Sequence, residues 1–585
     1  MTCNIKTLLI NKESYVFMFY NIIRSSKIQL IFFLLIGCVL SICLKYEVMW
    51  DFANYHYYNP WAFLNGRVGY DIAPAGLNTY FNPLMDIPLY LMIQYFNDSP
   101  NIIYAFQGLY FGGLLYVFFK ILGLFFDGST WTGRASILAA MLIGSTGWAT
   151  FMQIGTSTNE EAMALLVLLS FYLLLKEIFV SKSGRWQVYF GSGFILGSAM
   201  GLKLTVVIYC ISTGLSLILF YKEIVKNKRN IPLFILGGIL GFLLFNGFWM
   251  YMMWDKFQNP FFPFLNNIFQ SEYLPNENFR DKKMLPENIW EYIFYPFYVA
   301  FFQRRTEGNA LILDYRLLFI YVMSVVYCIS LFWKREKIRT YNRIFLFTGL
   351  WLFISYVLWL TMFTITRYYI ILELFVAMFI VKFFVEFLPQ ARIAKILFIS
   401  IGIVVFYSLV MTPFFSDTWE QRKDDYQLKQ TLLYDLTKKK PTQGEYKSLS
   451  SYKRFVDIED INIPDNTLIK LYNLPSSFVL PFWGQNKNIR GVLVKQQAYT
   501  WNKDQDLFSM PSWQNLIQNA LASHNGPEIA VIAETEIFKY NLHTERLNEF
   551  KNMYCRKLFN NMYNLSICVP NELKEQFFSQ GSNDK

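Results

Sequence analysis

From about residue 28 to residue 414 the chain is a succession of apolar runs broken by short polar stretches. The runs lie near 28–46, 101–126, 136–152, 160–180, 187–202, 204–221, 231–254, 315–333, 343–364, 368–388 and 396–414. As helices, runs of roughly 18 to 25 residues cross about 30 Å of hydrocarbon, so the pattern predicts a mainly α, polytopic bundle of about eleven spans. The piece at 83–96 carries Asp86 and Pro88 and is short for a span, so it reads as an interfacial helix in the first loop. After Phe415 the pattern changes to short apolar runs among charged residues. Strands are expected at 467–472, 491–495, 528–533 and 565–569, with helices at 508–522 and 541–559, which together make a soluble α/β domain. The organisation expected is thus a membrane part, 1–414, with large loops at 47–100 and 255–314, and a soluble domain, 415–585.

Lys and Arg collect on alternate loops: Lys6 to Lys27, Lys120 and Arg134, Lys176 to Arg185, Lys222 to Arg229, Lys334 to Arg343, and Arg392 with Lys395. Cytoplasmic loops retain such residues, so these are assigned inside. The loops at 47–100, 153–159 and 255–314, the turn at Arg367 and the C-terminal domain are assigned outside. No small-residue cleavage site follows the first run, which reads as a retained span with the N-terminus inside.

Composition agrees with this division. Of 585 residues 54% are hydrophobic and 16% charged, with a mean hydropathy of +0.27. A soluble domain is about a quarter charged, so disorder and an ordinary soluble fold are both excluded. The net charge of +11 does not read as nucleic-acid binding, because the basic residues sit in clusters between apolar runs. Seven Cys without a CxxC pair argue against a thiolate metal site. Cys555 and Cys568 are the thiols of the soluble domain, and the sequence leaves open whether they are bridged. His524 and His543 have no catalytic pattern around them and read as surface residues.

The richest stretch is the first outer loop. It opens with Trp50-Asp51-Phe52-Ala53-Asn54-Tyr55-His56-Tyr57-Tyr58 at the end of the first span. If it starts as an α-helix, Asn54, Tyr55 and Tyr58 share the face of Asp51, and His56 points away. Asp51 then reads either as an N-cap at the interface or as a general base facing a membrane-held substrate. Lys203 is the one charged residue between Arg185 and Lys222. It reads as a phosphate-binding cation, with snorkelling to the surface as the alternative. Arg367, beside Tyr368 and Tyr369, can offer a two-pronged donor to a phosphate. Glu373, deeper in the same span, is expected to pair with a cation. Arg304 and Arg305 in the long third loop are candidate contacts to phosphate or anionic lipid. Gly193, Gly197 and Gly201 recur at four-residue spacing, which suits close helix packing.

Asp51-Phe52-x-x-Tyr55, Ala62-Phe63-Leu64-x-Gly66-Arg67, Tyr70-Asp71 and Tyr80-Phe81-Asn82-Pro83-Leu84 together resemble the first outer loop of GT-C fold glycosyltransferases, the bacterial polyprenyl-phosphate-sugar-dependent type. Ser157-Thr158-Asn159-Glu160-Glu161, Gly201-Leu202-Lys203 and Thr366-Arg367-Tyr368 are similar in order and side. The resemblance implies a bacterial inner-membrane enzyme that moves a sugar from a polyprenyl-phosphate carrier to an exported glycan, lipid or protein, with inversion. It implies Asp51 as base, assisted by Glu160 or Glu161, with Lys203 and Arg367 on the donor phosphate and Tyr55, Tyr58, Arg304 and Arg305 on substrate. Where such enzymes often carry a second acid, Phe52 follows Asp51, so a divalent metal such as Mg or Mn stays an open question. Asn82-Pro83-Leu84 stands where such enzymes carry Lys-Pro-Pro or Tyr-Pro-Pro. The rival readings are a surface-polysaccharide polymerase or ligase and a lipid-linked sugar flippase.

Overall fold

The computed structural model describes residues 25–44, 50–224, 229–301 without 281 and 283, 315–334, 343–387, 454–496 without 486, 508, 510–533, 550, 552–558 and 560–578. The expected span at 396–414, the start of the helix expected at 541–559, and Arg304 and Arg305 lie outside these residues.

The other ten expected spans are all helical. They are α1 (Ser26–Leu44), α3 (Pro100–Phe125), α4 (Trp131–Ser145), α5 (Glu160–Leu175), α6 (Trp186–Leu202), α7 (Val207–Leu219), α8 (Asn230–Phe257), α9 (Arg316–Lys334), α10 (Arg343–Met362) and α11 (Ile370–Phe387). Between α1 and α3 lies α2 (Ile87–Phe96), whose 10 residues are too few to cross, as its sequence indicated. Among the described residues six segments are long and apolar enough to span a membrane: Ser26–Leu44, Pro100–Phe125, Glu160–Ser181, Asn230–Phe257, Arg343–Met362 and Thr366–Val385. The chain is a multi-pass membrane protein. Several of the remaining expected spans are shorter, because the sequence hides breaks inside its apolar runs. The run at 136–152, for example, stops at Ser145 and resumes as a separate turn, Trp148–Met152.

Small residues set the helix packing. A β-carbon on Gly193 would lie 1.9 Å from the carbonyl of Phe234, and one on Gly197 1.9 Å from that of Gly238. The expected glycine stripe of α6 therefore lies directly against the α8 backbone, a separation that lets dispersion contacts replace the hydrophobic drive that lipid cannot supply.

The C-terminal region is a five-stranded mixed sheet of β1 (Leu468–Tyr472), β2 (Arg490–Lys495), β3 (Glu528–Ala533), β4 (Met553–Leu558) and β5 (Leu565–Pro570), in the order β2-β1-β3-β5-β4. Helix α12 (Pro511–Ala522) falls within the helix expected there. One expectation fails: the end of the segment read as helix 541–559 is strand β4. It pairs antiparallel with β5, with Cys555 opposite Cys568, and the two are joined as a disulfide. Cross-strand pairing and the bridge outweigh the weak helical spacing there, as tertiary context often does at a sheet edge.

The sheet does not stand apart from the rest. Ile72 of the first loop donates to Gly491 O at 2.9 Å and accepts from Leu493 N at 3.0 Å, extending the sheet beyond β2. Phe52, Trp61, Ile72 and Tyr80 of that loop share one hydrophobic core with Phe262, Phe478, Leu480 and Trp513. The third loop is folded between them: Phe257 stacks on Phe262 at 4.0 Å, and Trp513 donates to Tyr273 O at 2.9 Å.

Candidate functional site

Four charged side chains from separate elements converge at one end of the bundle. Asp51 follows α1, Glu160 is the first residue of α5, Lys203 directly follows α6, and Arg367 lies in the turn Thr366–Tyr369 that leads into α11. Each position has a local cause. Glu160 stands in the first turn of α5, where the positive end of the helix dipole favours a carboxylate. It is preceded by Asn159 at φ 64°, in the left-handed region that Asn tolerates and that turns the chain sharply into α5. Lys203 is extended at φ −147°, which ends α6 and turns its side chain across to the second loop.

The charges alternate. Arg367 Nη1 donates to Asp51 Oδ2 at 2.5 Å, and Arg367 Nε lies 3.8 Å from Glu160 Oε1. Lys203 Nζ donates to Glu160 Oε1 and, at 2.8 Å, to Thr158 O. Both cations lie over the ring of Tyr368, each 5.6 Å from its centroid. Lys203 is therefore partnered and not left snorkelling. A lone charge at the edge of the hydrocarbon would cost several kcal/mol, and Glu160 and Thr158 offset that cost. Burial pushes the Asp51 carboxyl up, but the cations beside it, Arg367 above all and Lys203 with it, outweigh burial and hold the group below its ordinary value. Asp51 is thus an anion throughout the physiological range.

Beside these charges opens a small crevice. Glu160, Arg367 and Tyr368 form its polar part, and Met163, Val167, Val206, Ile370 and Ile371 belong to its apolar wall. A ligand with an anionic head and a hydrocarbon tail matches that division.

Of the residues singled out in the sequence, Asp51, Glu160, Lys203 and Arg367 come together. Tyr55 stays with them; burial, then Asp51, raise its phenol well above its usual pKa. Glu161 is buried in the first turn of α5. Tyr58 departs from the expected face: it donates to Asp71 Oδ2 at 2.8 Å, away from Asp51. The reason is a π turn over Phe52–His56, in which Tyr57 N bonds to Phe52 O. The i→i+5 spacing rotates later side chains off the face that an α-helix would give them.

The same turn brings in a pair that the sequence reading passed over. His56 Nδ1 lies 2.7 Å from Asp86 Oδ1, and Asn159 Nδ2 donates to the same oxygen at 2.5 Å. Asp86 carried no signal beyond disqualifying 83–96 as a span. Asn82 donates to Gly201 O, Phe245 O and Asn246 Oδ1, so it ties the first loop to the end of α6 just before Lys203. Glu373 meets Arg316 at 3.7 Å and accepts from Thr150 N and Oγ1, in the space left by Gly147, where a β-carbon would collide with the carboxylate. It has its cation and sits apart from the four-charge network.

Among the described residues no three His, Cys, Asp or Glu side chains cluster as a metal site. Asp51 and Glu160, the acids nearest the crevice, are instead bonded to Arg367 and Lys203. This donor set does not fit a divalent cation, and no step is assigned to one.

No known protein family matches the chain in sequence, and no curated protein does. In three dimensions it is similar to the crystal structure of ArnT from Cupriavidus metallidurans bound to undecaprenyl phosphate, with a TM-score of 0.52 and 13% identity, covering 92% of this chain and 97% of that one. The likeness reaches from the membrane helices into the C-terminal region and shows a shared fold, the GT-C type anticipated from the loop motifs.

Proposed function

We propose that this protein is a membrane glycosyltransferase that moves a sugar from a polyprenyl-phosphate carrier to a hydroxyl of an exported glycan, lipid or protein. The observation that carries the reading is the joining of Arg367 and Lys203 to Asp51 and Glu160 beside a crevice with an apolar wall. Two cations suit a phosphate head, the apolar wall suits an isoprenoid tail, and a carboxylate stands next to both. The similar structure, ArnT, holds undecaprenyl phosphate, which agrees with a donor of this class.

In the reaction proposed, the acceptor oxygen attacks the anomeric carbon from the side opposite the phosphate. The bond from that carbon to the phosphate oxygen breaks, and the acceptor proton passes to Asp51, so configuration inverts. Arg367 and Lys203 hold the departing phosphate, whose negative charge grows as the bond breaks. The donor phosphate competes with Asp51 for the Arg367 guanidinium, and its arrival frees the carboxylate to act as base. Glu160 keeps Lys203 in place meanwhile. In this reading the site faces the outer side of a bacterial inner membrane with the C-terminal domain on the same side, an orientation that the alternation of basic clusters supports.

Mass spectrometry of envelope glycans with and without the gene tests the reading. Loss of one sugar, restored by the wild-type gene and not by Asp51→Asn, is the result expected. Loss of chain length alone would replace transfer by polymerisation, and complete lipid-linked sugars retained on the inner leaflet would replace it by flipping.

A further inference from the structure

His56 is 5% exposed, and its ring is fixed on one side only. Nδ1 faces Asp86 Oδ1, and Asp86 is itself held by Asn159 from the turn that starts α5. A carboxylate can only accept, so the ring proton belongs on Nδ1, and in the neutral ring Nε2 carries a lone pair. Nε2 is buried and has no hydrogen-bond partner within the protein. Buried polar atoms are nearly always paired, so an orphan in so well-held a ring needs an explanation. Its surroundings supply one. The ring lies 4.2 Å from that of Tyr55, which itself sits beside the Asp51 carboxyl.

We propose that the His56–Asp86 pair is a substrate-binding element of this site, in which Nε2 accepts a hydrogen bond from a hydroxyl of the bound sugar or acceptor beside Asp51. The inference rests on the glycosyl-transfer reading and adds the group that recognises a hydroxyl. Asp86 and Asn159 are positioning residues: they fix the tautomer and the ring, and do not touch substrate. The arrangement gives selectivity as well as orientation, because a substrate without that hydroxyl would leave Nε2 buried and unpaired.

The test uses the full-length protein in cells lacking the gene, with the restored sugar read by mass spectrometry and protein level by immunoblot. His56→Gln, whose side-chain oxygen can stand where Nε2 does, is expected to transfer within a few-fold of wild type. His56→Phe, which keeps the volume and loses the acceptor, is expected to fall by about tenfold or more, the worth of one hydrogen bond. A space-filling role predicts the opposite order, and Phe transferring as well as wild type overturns the proposal. Failure of the wild-type gene to restore any sugar would instead overturn the glycosyl-transfer reading. With only three histidines in the chain, 15N-histidine spectra of the protein in nanodiscs give an independent readout. A single proton on Nδ1 of His56 at neutral pH is expected, moving to Nε2 in Asp86→Asn. A proton already on Nε2 in the wild type overturns the proposal even if neither His56 variant accumulates.

Discussion

Asp51 and Arg367 lie 316 positions apart in the chain and 2.5 Å apart in space. The pair joins the end of the first membrane helix to the turn before α11, and it puts the candidate base in direct contact with a candidate phosphate ligand. Removing the carboxylate leaves a guanidinium without its nearest counter-charge. Asp51→Asn is therefore expected to lower sugar transfer by 100-fold or more while the protein stays in the membrane, the usual scale for loss of a general base. Arg367→Lys keeps the charge and loses the fork, so it too should transfer poorly. Quantitative glycan profiling of complemented cells measures both.

Lys203 and Glu160 offer a test of function against folding. Lys203→Met leaves the buried Glu160 carboxylate with only its longer contact to Arg367 and should destabilise by up to about 3 kcal/mol, the low end of the cost of breaking a buried pair, seen as a lower melting temperature in detergent. Adding Glu160→Gln removes that charge and should recover most of that stability. Transfer should not return with it if Lys203 binds donor phosphate. Recovery of both would reduce the pair to a structural role.

The pH dependence of Asp51 has a definite sign. Its pKa in the folded protein lies below the ordinary carboxylate value, so the stabilisation from its ion pair is complete above the unfolded pKa, about 3.9. It is lost as pH falls through the lower folded value. Between pH 5 and 8 the contribution of Asp51 should be flat, and in Asp51→Asn the part of the acid-induced stability loss below about pH 4 that belongs to this group should vanish. Thermal melts across pH, wild type against Asp51→Asn, would detect it.

Docking of the C-terminal sheet onto the first loop depends on Arg67 and Asp71. Arg67 bonds Asp71 at 2.6 and 2.9 Å and Ile489 O at 2.5 Å, while Asp71 Oδ1 accepts from Gly491 N at 2.8 Å. Asp71→Ala breaks a buried pair and frees a β2 amide, at an expected cost of about 3–5 kcal/mol. Limited proteolysis should then cut the variant in the C-terminal region at protease levels the wild type survives.

The Cys555–Cys568 bridge closes a short loop whose ends are 13 positions apart in the chain. A bridge of that span is worth about 3 kcal/mol on chain-entropy grounds. Both thiols should resist maleimide in the intact protein and react after reduction, and the reduced form should melt at lower temperature. Labelling before reduction would show that they are not joined.

The sequence by itself determined what water and lipid impose residue by residue. Apolar run length placed ten described helices, short apolar runs placed four of the five described strands, and the glycine stripe of α6 announced a close helix packing whose partner the fold shows to be α8. It also brought forward Asp51, Lys203 and Arg367, because a charge at the end of an apolar run stands out, and Glu160 or Glu161 through the resemblance of the loop motifs. Tertiary structure decided the rest. Only the fold could pair Arg367 with Asp51 and Lys203 with Glu160, since those contacts join elements far apart in the chain. The π turn at Phe52–His56 sent Tyr58 to Asp71 and brought His56 to Asp86, and no 3.6-residue spacing foretells a turn of another pitch. The strand character of 553–558 came from β5 and the bridge across it, which are neighbours in space and not in the local pattern.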